Sequence, residues 1–225
     1  MIPWEFIDSA QVPGSGGELS LHRRGEEFVI RVDGYELMNS RVHGSEDALA
    51  ELACAQVADR ARPRVLIGGL GMGYTTAAAL KRLGAEARVF VAELVPTVVE
   101  WNRGVLASLA GHPLEDGRVT VCQVDVARML QEMRQAYDAI LLDVDNGPEG
   151  LTRQRNDWLY TAEGLDAALA ALRPAGVLGV WSASPDRGFT LRLRLAGFDV
   201  EEARVKARGS RGGGRHTIWV AVRNS

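Results

Sequence analysis

The stretch VLIGGLGMGYT, residues 65–75, places a short apolar strand directly before a loop that contains four glycines. Helix-forming residues follow from Thr75 to Leu83, and Gly84 ends them. Glycine lets the backbone approach a ligand closely, and the amides at the start of the helix then face it. This order predicts a nucleotide-binding βα unit. A tight turn that only packs the strand on the helix is the alternative at this point.

Outward from this loop, strands and helices alternate along the chain. Strands are expected at 65–67, 88–92, 119–124, 139–142 and 177–181, and helices at 75–83, from 96, 126–134, 161–172 and 186–196. This alternation predicts an α/β Rossmann-type fold with a mostly parallel sheet covered by helices on both faces. The last two strands, 200–205 and 216–222, are joined by a glycine-rich turn. We therefore expect an antiparallel C-terminal hairpin at one sheet edge.

The N-terminal part of the chain has a different pattern. Short β segments at 18–23, 28–32 and 35–38 are separated by Gly25 and by Asp33-Gly34, and Asp-Gly is a strong hairpin signal. Ser45 is the expected N-cap of a helix that begins with acidic residues. The sequence thus predicts a small β-hairpin region over 1–44 and an α/β nucleotide-binding domain over 45–225. The small region is a candidate dimerisation element.

Composition narrows the class of protein. The 225 residues are enough for a sizeable core, and the net charge of −3 argues against a dedicated nucleic-acid binder. No apolar run approaches the ~20 residues that span a bilayer, and no secretion signal is present, so we expect a cytoplasmic protein with a small-molecule substrate. The two cysteines and four histidines are scattered without ligand spacing, so we expect buried thiols and no metal site.

Glycine spacing and the end of the next strand indicate the kind of nucleotide. A dinucleotide fingerprint that starts at Gly69 needs glycine at 71 and 74, but Tyr74 stands there, which disfavours NAD. The spacing Gly69, Gly71, Gly73 suits a nucleotide without a pyrophosphate. Glu93 ends the following strand, where a carboxylate can accept hydrogen bonds from both ribose hydroxyls. A solvated strand end is the alternative for Glu93.

Two further strands also end in carboxylates. Asp125 is placed to accept a hydrogen bond from an adenine amine, with the amide of Val126 facing a ring nitrogen. Asp125 is equally a good N-cap for the next helix, and the two roles are compatible. Asp143 and Asp145 stand in a polar loop that ends in Gly-Pro. They can orient an amine, take its proton or hold an ammonium group, although the loop is also typical of a plain turn.

Taken together, these residues resemble the spermidine synthase family. The resemblance covers most of the chain: the segment ELMNSR at 36–41, the strand and glycine loop at 64–80, the three later carboxylates, and the ending GGRHTIW at 213–219. It implies a methyltransferase-like fold with a small N-terminal β domain, and a homodimer. It also implies aminopropyl transfer from decarboxylated S-adenosylmethionine to a polyamine, with Asp143 acting on the acceptor amine and Asp145 helping to bind the cation.

The chain also departs from that family. Gly71 stands where the family usually carries an Asp that holds the ammonium of the donor, and 42–47 lacks the family's Tyr. Arginines rather than further acids flank the expected site, at 153, 155, 208, 211 and 215. Two alternatives therefore stay open: a methyltransferase that uses S-adenosylmethionine on an unknown acceptor, and a non-catalytic protein that keeps the nucleotide pocket.

Overall fold

The computed structural model describes residues 2–14, 17–144, 157–209 and 212–224. Within these ranges the chain forms two sheets and six α-helices. The strands are β1 Glu5–Gln11, β2 Glu18–Arg24, β3 Glu27–Val32, β4 Tyr35–Asn39, β5 Arg64–Gly68, β6 Arg88–Ala92, β7 Val119–Cys122, β8 Tyr137–Leu142, β9 Leu172–Ser182, β10 Phe198–Lys206 and β11 Arg215–Arg223. The helices are α1 Gly44–Ala55, α2 Tyr74–Arg82, α3 Pro96–Arg103, α4 Val126–Glu132, α5 Ala162–Ala171 and α6 Arg187–Leu195.

The larger sheet has seven strands in the order β10-β11-β9-β8-β5-β6-β7. Strands β5 to β9 pair in parallel, whereas β11 runs antiparallel to both β9 and β10. The predicted α/β fold with a C-terminal antiparallel hairpin at one edge is confirmed. The hairpin adds two strands to the sheet beside β9.

The N-terminal region is a complete antiparallel sheet in the order β1-β2-β3-β4. The sequence predicted three of these strands and missed β1. Its sequence, EFIDSAQ, is largely exposed in the structure, so it carries little of the apolar pattern that marks a half-buried strand.

Two hydrophobic cores lie on the two faces of the larger sheet. Side chains alternate along β5, so Val65 and Ile67 enter one core and Leu66 enters the other. The first core also contains Leu21 and Ile30 of the N-terminal sheet. The small sheet therefore packs on the same face as α1, α2 and α3. In the described part of the chain, no helix is long and apolar enough to cross a membrane.

Candidate active site

Strands β5 to β8 end side by side, and the predicted site residues follow those ends. Gly68 lies opposite both Ala92 and Leu142 in the sheet. The ladder continues past the strand ends, because the Gly69 amide donates to Ala92 O at 2.9 Å and the Asp143 amide donates to Gly68 O at 3.0 Å. Ligands of open α/β sheets bind at this carboxyl edge. The glycine loop and Asp143 are therefore neighbours.

The three spaced glycines all adopt left-handed backbone conformations, with φ of +89° at Gly69, +53° at Gly71 and +83° at Gly73. At Gly69 a side chain is doubly excluded, because a Cβ would also overlap the carbonyl oxygen of Asp143. At Gly71 a Cβ would lie 2.9 Å from the sulfur of Met38, which belongs to the N-terminal sheet. The contact of these glycines with a nucleotide stays a prediction.

Glu93 is buried, and its carboxylate shapes the loop. Its Oε2 accepts from the Leu70 amide at 2.9 Å, and its Oε1 accepts from the Val95 amide at 2.8 Å, just before α3. The ribose contact of Glu93 stays a prediction.

Asp125 is the N-cap of α4, since its Oδ1 accepts from the Ala127 amide at 2.9 Å. The capping role considered from the sequence is therefore present, and the adenine contact stays a prediction. The side chain of Val126, the first residue of α4, packs on Gly68. A Cβ added at Gly68 would lie 2.9 Å from Cγ2 of Val126. This contact holds the start of α4 against the end of β5.

Asp143 is half-buried beside the start of α2. The Thr75 hydroxyl donates to its Oδ2 at 2.5 Å. Burial raises the pKa of Asp143 to about 6, and the hydrogen bond from Thr75 opposes that rise. Asp145 lies outside the described residues, as do Arg153, Arg155 and Arg211.

Glu46 is a site residue that the sequence analysis did not single out. It is buried in the first turn of α1, and its pKa is raised to about 7, first by burial and then by the charge of Asp143. The charge of Asp143, at the end of β8, therefore acts on the carboxyl group of Glu46 in α1. An acid in a first helical turn is common, so the sequence carried no signal that Glu46 would be buried.

Ser45 is not the N-cap of α1, contrary to expectation. The helix begins one residue earlier, at Gly44, after His43, which makes no side-chain cap. The Gly44 amide instead donates to Ala207 O at 2.9 Å in the turn between β10 and β11, and that contact takes the place of a capping side chain. Position 44 also has no room for a side chain, because a Cβ would overlap the backbone of Gly209.

Tyr74 joins the glycine loop to the entry of α1. Its ring stacks on His43 at 4.1 Å between centroids, and its hydroxyl donates to Ser40 O at 3.1 Å. His43 in turn contacts Asp47 at 2.8 Å. Tyr74, which disfavours a dinucleotide fingerprint, therefore lies between the glycine loop and the start of α1.

Comparison with known proteins shows the family and the fold of the chain. The model of the spermine/spermidine synthase domain matches residues 49–186, more than half of the chain. The chain belongs to the spermine/spermidine synthase domain family.

Two curated relatives are polyamine aminopropyltransferases. One, from Streptomyces coelicolor, is 32% identical over 123 residues, and the other, from Corynebacterium efficiens, is 34% identical over 131 residues. These matches cover 54% and 57% of this chain but 22% and 24% of the relatives. The matched part therefore spans about a quarter of the length of these relatives.

Solved structures show the same fold at low identity. Spermidine synthase from Thermotoga maritima has a TM-score of 0.77 at 19% identity, over 97% of this chain and 73% of its own. A spermidine synthase in complex with the transition state analogue AdoDATO has a TM-score of 0.76 at 20% identity, over 97% and 72%. A Burkholderia thailandensis 1,6-didemethyltoxoflavin-N1-methyltransferase has a TM-score of 0.57 at 21% identity, over 81% and 80%. The fold is thus methyltransferase-like.

Proposed function

We propose that this protein is a transferase that moves the aminopropyl group of decarboxylated S-adenosylmethionine to an amine and releases methylthioadenosine. One observation carries the proposal: Asp143 lies beside the glycine loop, where the Thr75 hydroxyl donates to its Oδ2, and its charge raises the pKa of the buried Glu46. Paired carboxyls beside a nucleotide loop suit a cationic amine that must be held and deprotonated.

The donor side of the site is formed by residues that follow β5, β6 and β7. Gly69, Gly71 and Gly73 let the backbone approach the nucleoside, Glu93 accepts from the ribose hydroxyls, and Asp125 with the Val126 amide contacts the adenine. The carboxylate of Asp125 has oxygen lone pairs beyond the backbone bond described above.

The acceptor side is formed by Asp143, Asp145 and Glu46. Asp143 orients the acceptor amine, whose lone pair attacks the propyl carbon next to the sulfonium. The new C–N bond forms as the C–S bond breaks, sulfur keeps the electron pair as a neutral thioether, and the amine proton passes to a carboxylate. Asp145 helps to hold the cation. Because the displacement is direct, positioning supplies much of the rate.

The relatives support this assignment. The curated relatives are named polyamine aminopropyltransferases, and one structural neighbour was solved with a transition state analogue. Membership of the same domain family makes transfer to an amine the expected activity.

Methyl transfer from S-adenosylmethionine is the second candidate, and Gly71 is the observation that favours it. The intact donor carries a carboxylate that its decarboxylated form lacks, and an acidic side chain at position 71 would repel it. Gly71 has none, and its φ of +53° together with Met38 makes a side chain there costly. A methyltransferase is also among the structural neighbours.

A ligand panel separates these candidates. Melting temperatures are measured with decarboxylated S-adenosylmethionine, S-adenosylmethionine, methylthioadenosine and S-adenosylhomocysteine, because a ligand that binds only the folded state raises the melting temperature according to its affinity. Release of methylthioadenosine with putrescine is then assayed. We expect the decarboxylated donor to give the larger shift and release to occur. A larger shift with S-adenosylmethionine, or binding without turnover, contradicts the proposal.

The adenine contact has its own test. Asp125→Ser keeps an N-cap hydroxyl but removes the carboxylate, so the fold should persist while the melting shift with methylthioadenosine falls. Asp186→Ser is the matched control, because Asp186 caps α6 in the same way, accepting from the Phe189 amide at 3.0 Å. Equal ligand shifts in the two variants would remove Asp125 from the site.

The wider organisation follows the same proposal. We infer a two-part chain, 1–44 and 45–225, in a cytoplasmic homodimer without nucleic-acid partners. Exposed Phe6 and Tyr35 on the N-terminal sheet support the dimer, and the free thiols of Cys54 and Cys122 suit a reducing compartment. Sedimentation of the whole chain and of a Phe6→Ser, Tyr35→Ser variant tests the dimer. A monomeric wild-type protein would contradict it.

A further inference from the structure

A chain of hydrogen bonds reaches the candidate site from the last strand. His216 of β11 contacts Ser45 of α1 through Nδ1 and Oγ at 2.8 Å, and the Ser45 hydroxyl donates to Oε2 of Glu46 at 2.6 Å. Ser45 is fully buried. These contacts connect the final hairpin with the paired carboxyls, although Ser45 and His216 are 171 residues apart in sequence.

The direction of the bond between Ser45 and Glu46 decides the direction of the contact between Ser45 and His216. A serine hydroxyl has one hydrogen, and Ser45 gives it to Glu46. With Glu46 ionised and accepting from Ser45, the contact with His216 is a bond that Nδ1–H donates to Ser45 Oγ. If Glu46 becomes protonated, its own O–H competes to donate to Ser45. A hydrogen bond that Ser45 donates lowers the pKa of Glu46 and so favours its ionised form.

The surroundings of His216 favour its neutral form. Its ring is half-buried and meets the edge of Trp181 at 4.8 Å between centroids, and burial lowers its pKa. A neutral imidazole donates a hydrogen bond without adding a positive charge near the site. A charged one would repel an ammonium acceptor.

Several other titratable groups face Glu46. Asp143 lies at the end of β8, Tyr74 at the start of α2, and Asp47, which contacts His43, is next on α1. The acidic groups disfavour a charge on Glu46, and so does burial. Within the described ranges, the hydrogen bond from Ser45 is the side-chain contact that opposes them.

We propose that His216 is a positioning residue that, through Ser45, keeps Glu46 ionised to hold the cationic acceptor. The inference rests on the proposed transfer to an amine. His216 touches neither donor nor acceptor in this scheme. It sets the pH range over which the acceptor binds.

The kinetic test compares His216→Phe with His216→Asn over pH. Phe cannot donate to Ser45, whereas the amide of Asn can. In His216→Phe we expect the acceptor kcat/KM profile to move up by about one pH unit, which is about a tenfold loss near pH 6.5. The loss should appear in KM rather than kcat and vanish above about pH 8.5, where Glu46 ionises in both proteins. His216→Asn should restore the wild-type profile.

His22→Phe is the matched control, because His22 also contacts a serine, Ser20 at 3.2 Å, and also meets an aromatic edge, that of Phe6. Its profile should match wild type. Ser45→Ala should reproduce the shift if His216→Phe does not fold. An equal loss at every pH, an unshifted profile, or identical behaviour of the Phe and Asn variants would overturn the proposal.

A second measurement is independent of turnover. The Glu46 carboxyl is titrated by carbon NMR in the absence of substrate, with the signal assigned by its loss in Glu46→Gln. We expect its midpoint to rise in His216→Phe and in Ser45→Ala. If the midpoint shifts while no aminopropyl transfer occurs, the proposed function fails and the contact between His216 and Glu46 stands. If the midpoint does not shift, the role of His216 is overturned.

Discussion

Two aspartates of one strand have opposite surroundings. Asp138, near the start of β8, is buried and accepts from Arg60 at 2.5 Å, from Arg173 at 2.9 Å and from the Arg64 amide at 2.7 Å. Asp143 follows the end of the same strand. Among the described residues it forms no ion pair and faces Glu46 instead.

This difference separates a structural carboxylate from a candidate catalytic one. The charge of Asp138 is neutralised by two arginines and ties β8 to the chain before β5 and to β9. Burial raises the pKa of Asp143 to about 6, and only the neutral hydroxyl of Thr75 opposes that rise. Asp143 can therefore exchange a proton near neutral pH. Perturbed carboxyls without a structural counterion are typical of sites that move protons.

The largest expected effect is on activity. Asp143→Asn keeps the shape of the side chain but removes the group that accepts the proton, so the kcat of transfer should fall by about 1,000-fold. Its free energy of unfolding at pH 8 should not fall, because the substitution removes a charge that the surroundings of Asp143 disfavour. Steady-state kinetics measures kcat, and urea denaturation measures the free energy of unfolding. Unchanged kcat would show that Asp143 is not catalytic.

The largest expected effect on stability comes from Asp138→Ala. Removing the carboxylate leaves two arginines without their counterion, and the free energy of unfolding should fall by about 3 kcal/mol. Urea denaturation measures this loss. The control is Asp59→Ala, because Asp59 is exposed and stands next to Arg60 in the sequence. A loss no larger than that of the control would mean that the arginines find other partners.

A smaller effect is expected from pH. The pKa of Glu46 is higher in the folded chain, so the folded state binds more protons, and stability present at low pH is lost as pH rises from about 4.5 to about 7. The difference in unfolding free energy between wild type and Glu46→Gln should therefore fall by about 2 kcal/mol between pH 5.5 and 8. The pKa values of His22 and His216 are lowered in the folded chain, so these residues make stability rise with pH. Their contribution is present in both proteins and cancels in the difference. A flat difference would contradict the raised pKa.

The smallest effect is expected from Arg173→Gln. The Arg173 side chain is 38% exposed and Arg60 still pairs with Asp138, so the loss should be about 0.5 kcal/mol. The same denaturation series measures it. A loss as large as that of Asp138→Ala would show that Asp138 depends on Arg173 alone.

Much of the fold was predictable because it depends on local patterns. Short apolar runs alternate with helical segments, and glycines mark the turn after β5. Glu93, Asp125 and Asp143 were predicted as neighbours because each follows the end of a parallel strand, and such ends meet at one edge. No side-chain contact had to be known for that inference.

Glu46, Ser45 and His216 escaped prediction for a different reason. Their proximity depends on how α1 packs against β8 and β11, and a sequence pattern does not report that packing. Ser45 was assigned to a cap from local preference, whereas the turn between β10 and β11 supplies the partner for the start of α1. Local sequence preferences did not predict these contacts, because the contacts join segments that are far apart in the sequence.

The contact between Gly69 and Asp143 has a consequence for the spacing of the site. The Cα of Gly69 packs on the carbonyl of Asp143, and the Asp143 amide bonds to Gly68. Main-chain atoms therefore set the separation between the donor loop and the acceptor carboxyl. Side-chain changes around the pocket can alter which molecules enter, while the distance over which the proposed transfer takes place stays the same.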